Sequence, residues 1–151
     1  MTDKIVSADL EPRAGLIPYF KDGDKILYLF MVSSQQQFGG LKPMISKGKV
    51  EEDESTLEAA FREAEEELGF KMSNVAGQSF KVADEHVFLR SANYRLTLYA
   101  VEVQSKFDFK MWGDETEYVT WLTLDEFKEQ GRRDHIRYIE IAEHQIRMML
   151  S

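Results

Sequence analysis

Glu63, Glu66 and Glu67 lie in the stretch GKVEEDESTLEAAFREAEEELGF, residues 48–70, directly after Arg62. An α-helix turns about 100° per residue, so positions three and four apart share a face. The spacing predicts three carboxylates on one short arc. Beside them Leu57, Ala60, Phe61, Ala64 and Leu68 form an apolar stripe, the expected core-facing side, which puts the carboxylates at its edge. Carboxylates this close repel one another, and Arg62, four residues before Glu66, offsets only part of that. A hard divalent cation is the natural compensation. Mg²⁺ prefers oxygen ligands in an octahedral shell and commonly keeps waters and phosphate oxygens among them. With no cysteine in the chain and no histidine near the run, Mg²⁺ suits the cluster better than Zn²⁺, and Mn²⁺ can substitute.

A bare Glu65–Glu67 run is ordinarily a solvated helix face. Its flanks argue for more. Ser55 followed by Glu58 makes a capping box that starts the helix, and Gly69 before Phe70 supplies the permissive backbone that stops it. Gly48 marks a turn ahead of the acidic loop at 51–53. Strand, glycine loop, capped helix and glycine stop are the elements that must position the carboxylates.

These residues resemble the Nudix box: Gly48, five residues, Glu54, seven residues, Arg62-Glu63, then Glu66-Glu67 and Gly69. Every fixed polar and glycine position is filled, while Ala64 is small where a bulkier aliphatic is common. The resemblance implies an α+β protein, an α/β/α sandwich with a mixed β-sheet, in one domain spanning residues 1–151. It implies metal-dependent hydrolysis of a pyrophosphate bond in a nucleoside diphosphate linked to another moiety. Glu63, Glu66 and Glu67 would hold Mg²⁺, Arg62 would orient them, Gly48 and Gly69 would shape the loop and helix end, and Glu54 would orient or act as a secondary ligand. The general base differs among subfamilies: Glu63 or Glu66 can serve, or a carboxylate outside the box. Glu115 and Glu102 are the candidates for an additional metal ligand, Glu115 lying in an acidic turn with Asp114 and Glu117.

Ser46-Lys47-Gly48 is similar to the proline-lysine-glycine opening of dinucleoside polyphosphate hydrolases, with serine in place of proline. Lys47, Lys49 and Arg13 are the candidates to meet phosphate oxygens. Dinucleoside polyphosphates and ADP-ribose-like compounds head the expected substrates, followed by FAD or NADH. Removal of an NAD or nucleotide cap from RNA would use the same chemistry. A non-catalytic nucleotide sensor on the same fold is the contrasting class, and the complete set of box glutamates counts against it. Tyr19, Phe38, Phe88, Tyr94, Phe109, Trp112 and Tyr118 include candidates for stacking on a base. His86, His135 and His144 lack metal spacing and receive no role.

The remaining elements follow from periodicity. Arg13–Phe20 and Lys25–Ser33 around Lys21-Asp22-Gly23-Asp24 read as a hairpin. Val75–Ala83, Val87–Leu89, Tyr94–Val103 and Glu117–Leu122 read as strands, and 107–112 as edge strand or loop. Thr123 and Glu126 make a second capping box, and Ile136, Ile139, Ala142, Ile146 and Met149 space out a long amphipathic helix. That helix can pack on its own sheet or on a partner, so a monomer and a homodimer both stay open.

Across 151 residues, 43% hydrophobic and 12% aromatic content suits a globular core. The start of the chain, residues 1–13, shows no apolar run suited to a signal peptide, and no segment is long enough to span a membrane. Absence of cysteine fits a reducing cytoplasm, the expected location. A net charge of −8 disfavours holding long nucleic acid and tolerates a small metal-bridged nucleotide.

Overall fold

The computed structural model describes residues 10–34, 41–89, 92–106 and 113–150. Phe38, Phe109, Trp112 and the ambiguous 107–112 stretch lie outside those residues. A mixed sheet runs through the centre. β1 (Glu11–Asp22) and β2 (Lys25–Ser33) form the expected hairpin, but they pair only from Tyr19↔Tyr28 to Asp22↔Lys25. Beyond that they part. Over Arg13–Leu16, β1 instead takes β4 (Ser46–Lys49), antiparallel, while β2 takes β3 (Pro43–Met44) at Val32 and Met31. The segment from Pro43 to Lys49 therefore crosses from one arm of the split to the other. Splits of this kind leave strand ends facing a crevice, the usual place for a ligand in an open sheet.

β6 (Asn93–Glu102) runs parallel to β1, and β5 (Phe80–Phe88) closes that edge antiparallel to β6. β7 (Thr116–Leu122) lines the far side of β2. The two strands expected at Val75–Ala83 and Val87–Leu89 are one strand, β5, with a register shift between Lys81 and Ala83; Val75 makes only an isolated bridge to Val103. Asp84 and His86 resemble a break in the sequence, yet they are the outward positions of an edge strand buried on one face only.

Alternation along β1 and β2 builds two cores, one on each face of the sheet. Leu16, Leu29 and Met31 pack with Ala60, Ala64 and Leu68 of α1 (Thr56–Leu68). Ile17, Tyr28 and Phe30 pack on the other face, against Phe127 of α2 (Leu124–Gln130) and Ile139, Ala142 and Ile146 of α3 (Ile136–Leu150). Phe30 and Phe127 stack with ring centroids 4.0 Å apart. The result is an α/β/α sandwich, and α3 packs on its own sheet. Met149, expected in the apolar stripe of α3, is 58% exposed because the last turn runs past the core. No helix among the described residues is long and apolar enough to cross a membrane.

Candidate active site

The capped helix comes first. Ser55 Oγ accepts the Glu58 N–H at 3.1 Å while the Glu58 carboxylate accepts the Ser55 N–H at 2.8 Å. At the other end Gly69 sits at φ 73°, left-handed backbone that glycine adopts without a Cβ penalty, and its N–H returns to the Ala64 and Glu65 carbonyls. Small residues at Ala59, Ala60 and Ala64 let α1 lie close on the sheet. The buried face is consequently rotated from the expected stripe. Leu57 and Phe61 are only part-buried, and Glu67 is inside, 8% exposed. Glu63 is nearly covered, whereas the Glu66 side chain is 57% exposed.

Arg62 ties the acidic loop to the helix. Its Nε donates to Glu54 at 2.6 Å and Nη2 to the other Glu54 oxygen at 3.0 Å; Nη2 also reaches the Lys49 carbonyl at 2.8 Å. Nη1 contacts Glu63 at 3.0 Å and Glu66 at 3.3 Å. Glu54 takes a further N–H from Glu51, so its carboxylate is fully engaged and held below the ordinary range, chiefly by Arg62. Gly48 makes room for Glu63: a Cβ there would collide with its carboxylate and push it from its present position.

Glu67 is gripped from β4. Ser46 Oγ donates to its Oε1 at 2.8 Å and the Lys47 N–H at 3.0 Å, and both bonds fall on Oε1. Burial nevertheless pushes this carboxyl up to about 8, with Glu63 and Glu115 adding repulsion. Glu63 is likewise raised, by burial first and then by Glu66. Glu115 comes near through a set of anchors at the foot of β7. Thr116 Oγ1 donates to the Glu67 carbonyl at 2.7 Å, the Gly113 N–H to the Glu66 carbonyl at 2.6 Å, and the Ser34 N–H to the Glu115 carbonyl at 2.9 Å. Glu102 lies elsewhere, paired with Lys21 at 3.5 Å beside Tyr19.

A cleft of about 310 Å³ opens over the split in the sheet, lined by Glu67, Glu115 and Gly48 and by Arg13, Lys47, Lys49 and Arg132. The larger cavity of about 650 Å³, beside Trp121 and Glu143, shares none of these residues. Burial, then Arg132 and Arg13, push the Lys47 ammonium down to about 8. Among the stacking candidates, Tyr19 and Tyr94 are buried, and the Arg13 guanidinium covers the Tyr94 ring at 4.2 Å; Phe88 and Tyr118 are exposed. His135 is buried with its Nδ1 accepting the Ile45 N–H at 3.1 Å, so it serves the backbone of the crossing segment.

Arg132, Thr116 and the Ser46 hydroxyl contact were missed in the sequence. Arg132 follows the end of α2 in no motif, and only the serine standing where similar chains carry proline offered a signal.

Among the described residues, no group of three or more histidines and carboxylates converges as an ion-ready cage. Arg62 draws Glu63 and Glu66 toward itself, and Ser46 holds Glu67. The donor set still fits a hard divalent ion: all oxygen, mutually repelling and partly desolvated.

The NUDIX domain family matches residues 9–140. The chain is 34% identical over 133 residues to Nudix hydrolase 16, mitochondrial, of Arabidopsis thaliana, covering 79% of this chain and 71% of that protein. In fold it is similar to a Caenorhabditis elegans Ap4A hydrolase in a binary complex, TM-score 0.76 at 16% identity, covering 91% of this chain and 98% of that one. It is also similar to the NUDIX domain of Shewanella oneidensis NrtR complexed with ADP ribose, TM-score 0.73 at 15% identity, covering 97% and 99%. Family match, relative and carboxylate helix agree: the chain belongs to the Nudix hydrolases, enzymes that break phosphoanhydride bonds.

Proposed function

We propose that this enzyme hydrolyses the pyrophosphate bond of a nucleoside diphosphate linked to another moiety, using Mg²⁺ held by Glu63, Glu66 and Glu67 with Glu115 beside them. The observation that carries the reading is the meeting of Glu67 and Glu115 with Arg13, Lys47 and Lys49 around one cleft, with Glu63 close enough to Glu67 to repel it. Dinucleoside polyphosphates and ADP-ribose-like compounds are the leading substrates, ahead of FAD and NADH. The similarity to an Ap4A hydrolase and to a domain binding ADP ribose agrees with both leading classes.

When bound, the metal supplies Lewis acidity toward a phosphoryl oxygen and lowers the pKa of water. The protein's share is positioning. Arg62 fixes the glutamates relative to the loop, and Ser46 with the Lys47 N–H holds one Glu67 oxygen. Lys47, Lys49 and Arg13 meet phosphate oxygens and spread the charge of the departing phosphate. Water attacks one phosphorus, a carboxylate of the cluster takes its proton, and the bond from that phosphorus to the bridging oxygen breaks. Phosphoryl transfer demands mainly alignment and charge neutralisation, which a carboxylate comb facing cations supplies.

Glu66→Gln tests the assignment. The side chain is exposed, so the fold should survive with an unchanged Tm, while Mg²⁺-dependent turnover falls by about 100-fold or more. Unchanged turnover would remove Glu66 from the metal site.

A further inference from the structure

Arg13, Lys47 and Arg132 arrive from β1, β4 and the turn after α2, and all three line the same cleft. The Tyr94 ring anchors two of them, with the Arg13 guanidinium 4.2 Å and the Lys47 ammonium 5.6 Å from its centroid. Arg132 is braced independently. Its N–H donates to the Pro43 carbonyl at 2.9 Å, and its guanidinium grips Asp134 at 2.9 and 3.1 Å.

Contact pairing leaves one of these cations without a carboxylate. Glu11 is shared between Arg13 and Lys49, Asp134 is taken by Arg132, and Lys47 makes no ion pair among the described residues. Cations gathered in a partly desolvated wall repel one another, as Arg132 and Arg13 repel Lys47, and an anion bound among them relieves that cost. Guanidinium forks match the geometry of phosphate oxygens, and the ammonium adds a point charge. The acidic residues of the cleft, Glu67 and Glu115, are where the metal-bound phosphoryl group belongs. A pyrophosphate substrate carries at least one more.

We propose that Arg132, with Arg13 and Lys47 around Tyr94, forms a phosphate subsite that holds, without metal, a phosphoryl group of the substrate other than the one engaged by the glutamates. Arg132 is then a specificity-determining residue outside the box motif. The inference rests on the pyrophosphohydrolase reading for its substrate, but the subsite can be measured separately.

Inorganic pyrophosphate is titrated into the protein by calorimetry in excess chelator. The wild type should bind, Arg132→Gln should bind about 10-fold more weakly, and Arg132→Lys should fall between. Lys128→Gln removes a positive charge from a surface pair with Glu140, outside the cleft, and should bind like wild type. Circular dichroism verifies the fold of each variant. In turnover, Arg132→Gln should raise KM more than it lowers kcat. Three results would overturn the subsite: no wild-type binding in chelator, an Arg132→Gln affinity equal to wild type, or equal weakening by Lys128→Gln. Arg132-dependent pyrophosphate binding in a protein that hydrolyses no nucleotide with Mg²⁺ would keep the subsite and sink the hydrolase reading. Hydrolysis with binding indifferent to Arg132 would do the reverse.

Discussion

Glu67 carries a strong electrostatic tension, a carboxyl raised by burial among other carboxylates. A carboxyl held near 8 inside the fold and near 4.5 in the unfolded chain means that the folded form binds more protons between those values. Stability then falls as pH rises through that window, with the full cost present above about 8 and absent below about 4.5. Glu67→Gln should therefore raise the Tm of metal-free protein at pH 8, and the gain should vanish toward pH 4.5. A gain independent of pH would contradict this. Ser46→Ala should act in the opposite direction, because the buried Oε1 loses a donor at a cost of about 1–3 kcal/mol. Urea unfolding at pH 8 reads both effects. The carboxylate arc was legible from residue spacing, but the depth of Glu67 was not. That depth depends on how closely Ala59, Ala60 and Ala64 let the helix approach, and on a serine whose partner is remote in sequence.

Elements set by local signals were the most readable. Both capping boxes form as their residues dictate, at Ser55 with Glu58 and at Thr123 with Glu126. The left-handed stop at Gly69 predicts that Gly69→Ala lowers stability by about 1 kcal/mol or more, measured by denaturant midpoint, through backbone strain. Less legible was the partition of β1 between β2 and β4, because strand pairing is decided by contacts distant in sequence. The merging of two expected strands into β5 has the same origin: β6 supplies a continuous template for an edge strand with one polar face. α2 is short and relies on Phe127, stacked on Phe30. Phe127→Ala should cost about 3–5 kcal/mol in urea unfolding. A cost under about 1 kcal/mol would show that α2 is held by other contacts.

At the scale of the whole molecule, charge is sorted rather than merely negative. The chain carries −8 overall, yet Arg13, Lys47, Lys49 and Arg132 collect around the cleft that also holds Glu67 and Glu115. Net charge is an average over the whole chain and hides this local sorting. Arg132 reaches the cleft only because α2 packs on the sheet and its following turn bonds to Pro43. No local pattern announces such an arrival. The central claim is that this cleft cleaves a phosphoanhydride with a divalent metal. Its most direct measurement is hydrolysis across a panel of diadenosine tri- and tetraphosphate, ADP-ribose, FAD, NADH and nucleoside triphosphates, with Mg²⁺, with Mn²⁺ and with chelator. The account predicts chelator-sensitive cleavage of one nucleoside-diphosphate conjugate class well above the rest. A folded, metal-loaded protein that cleaves none of them would contradict it.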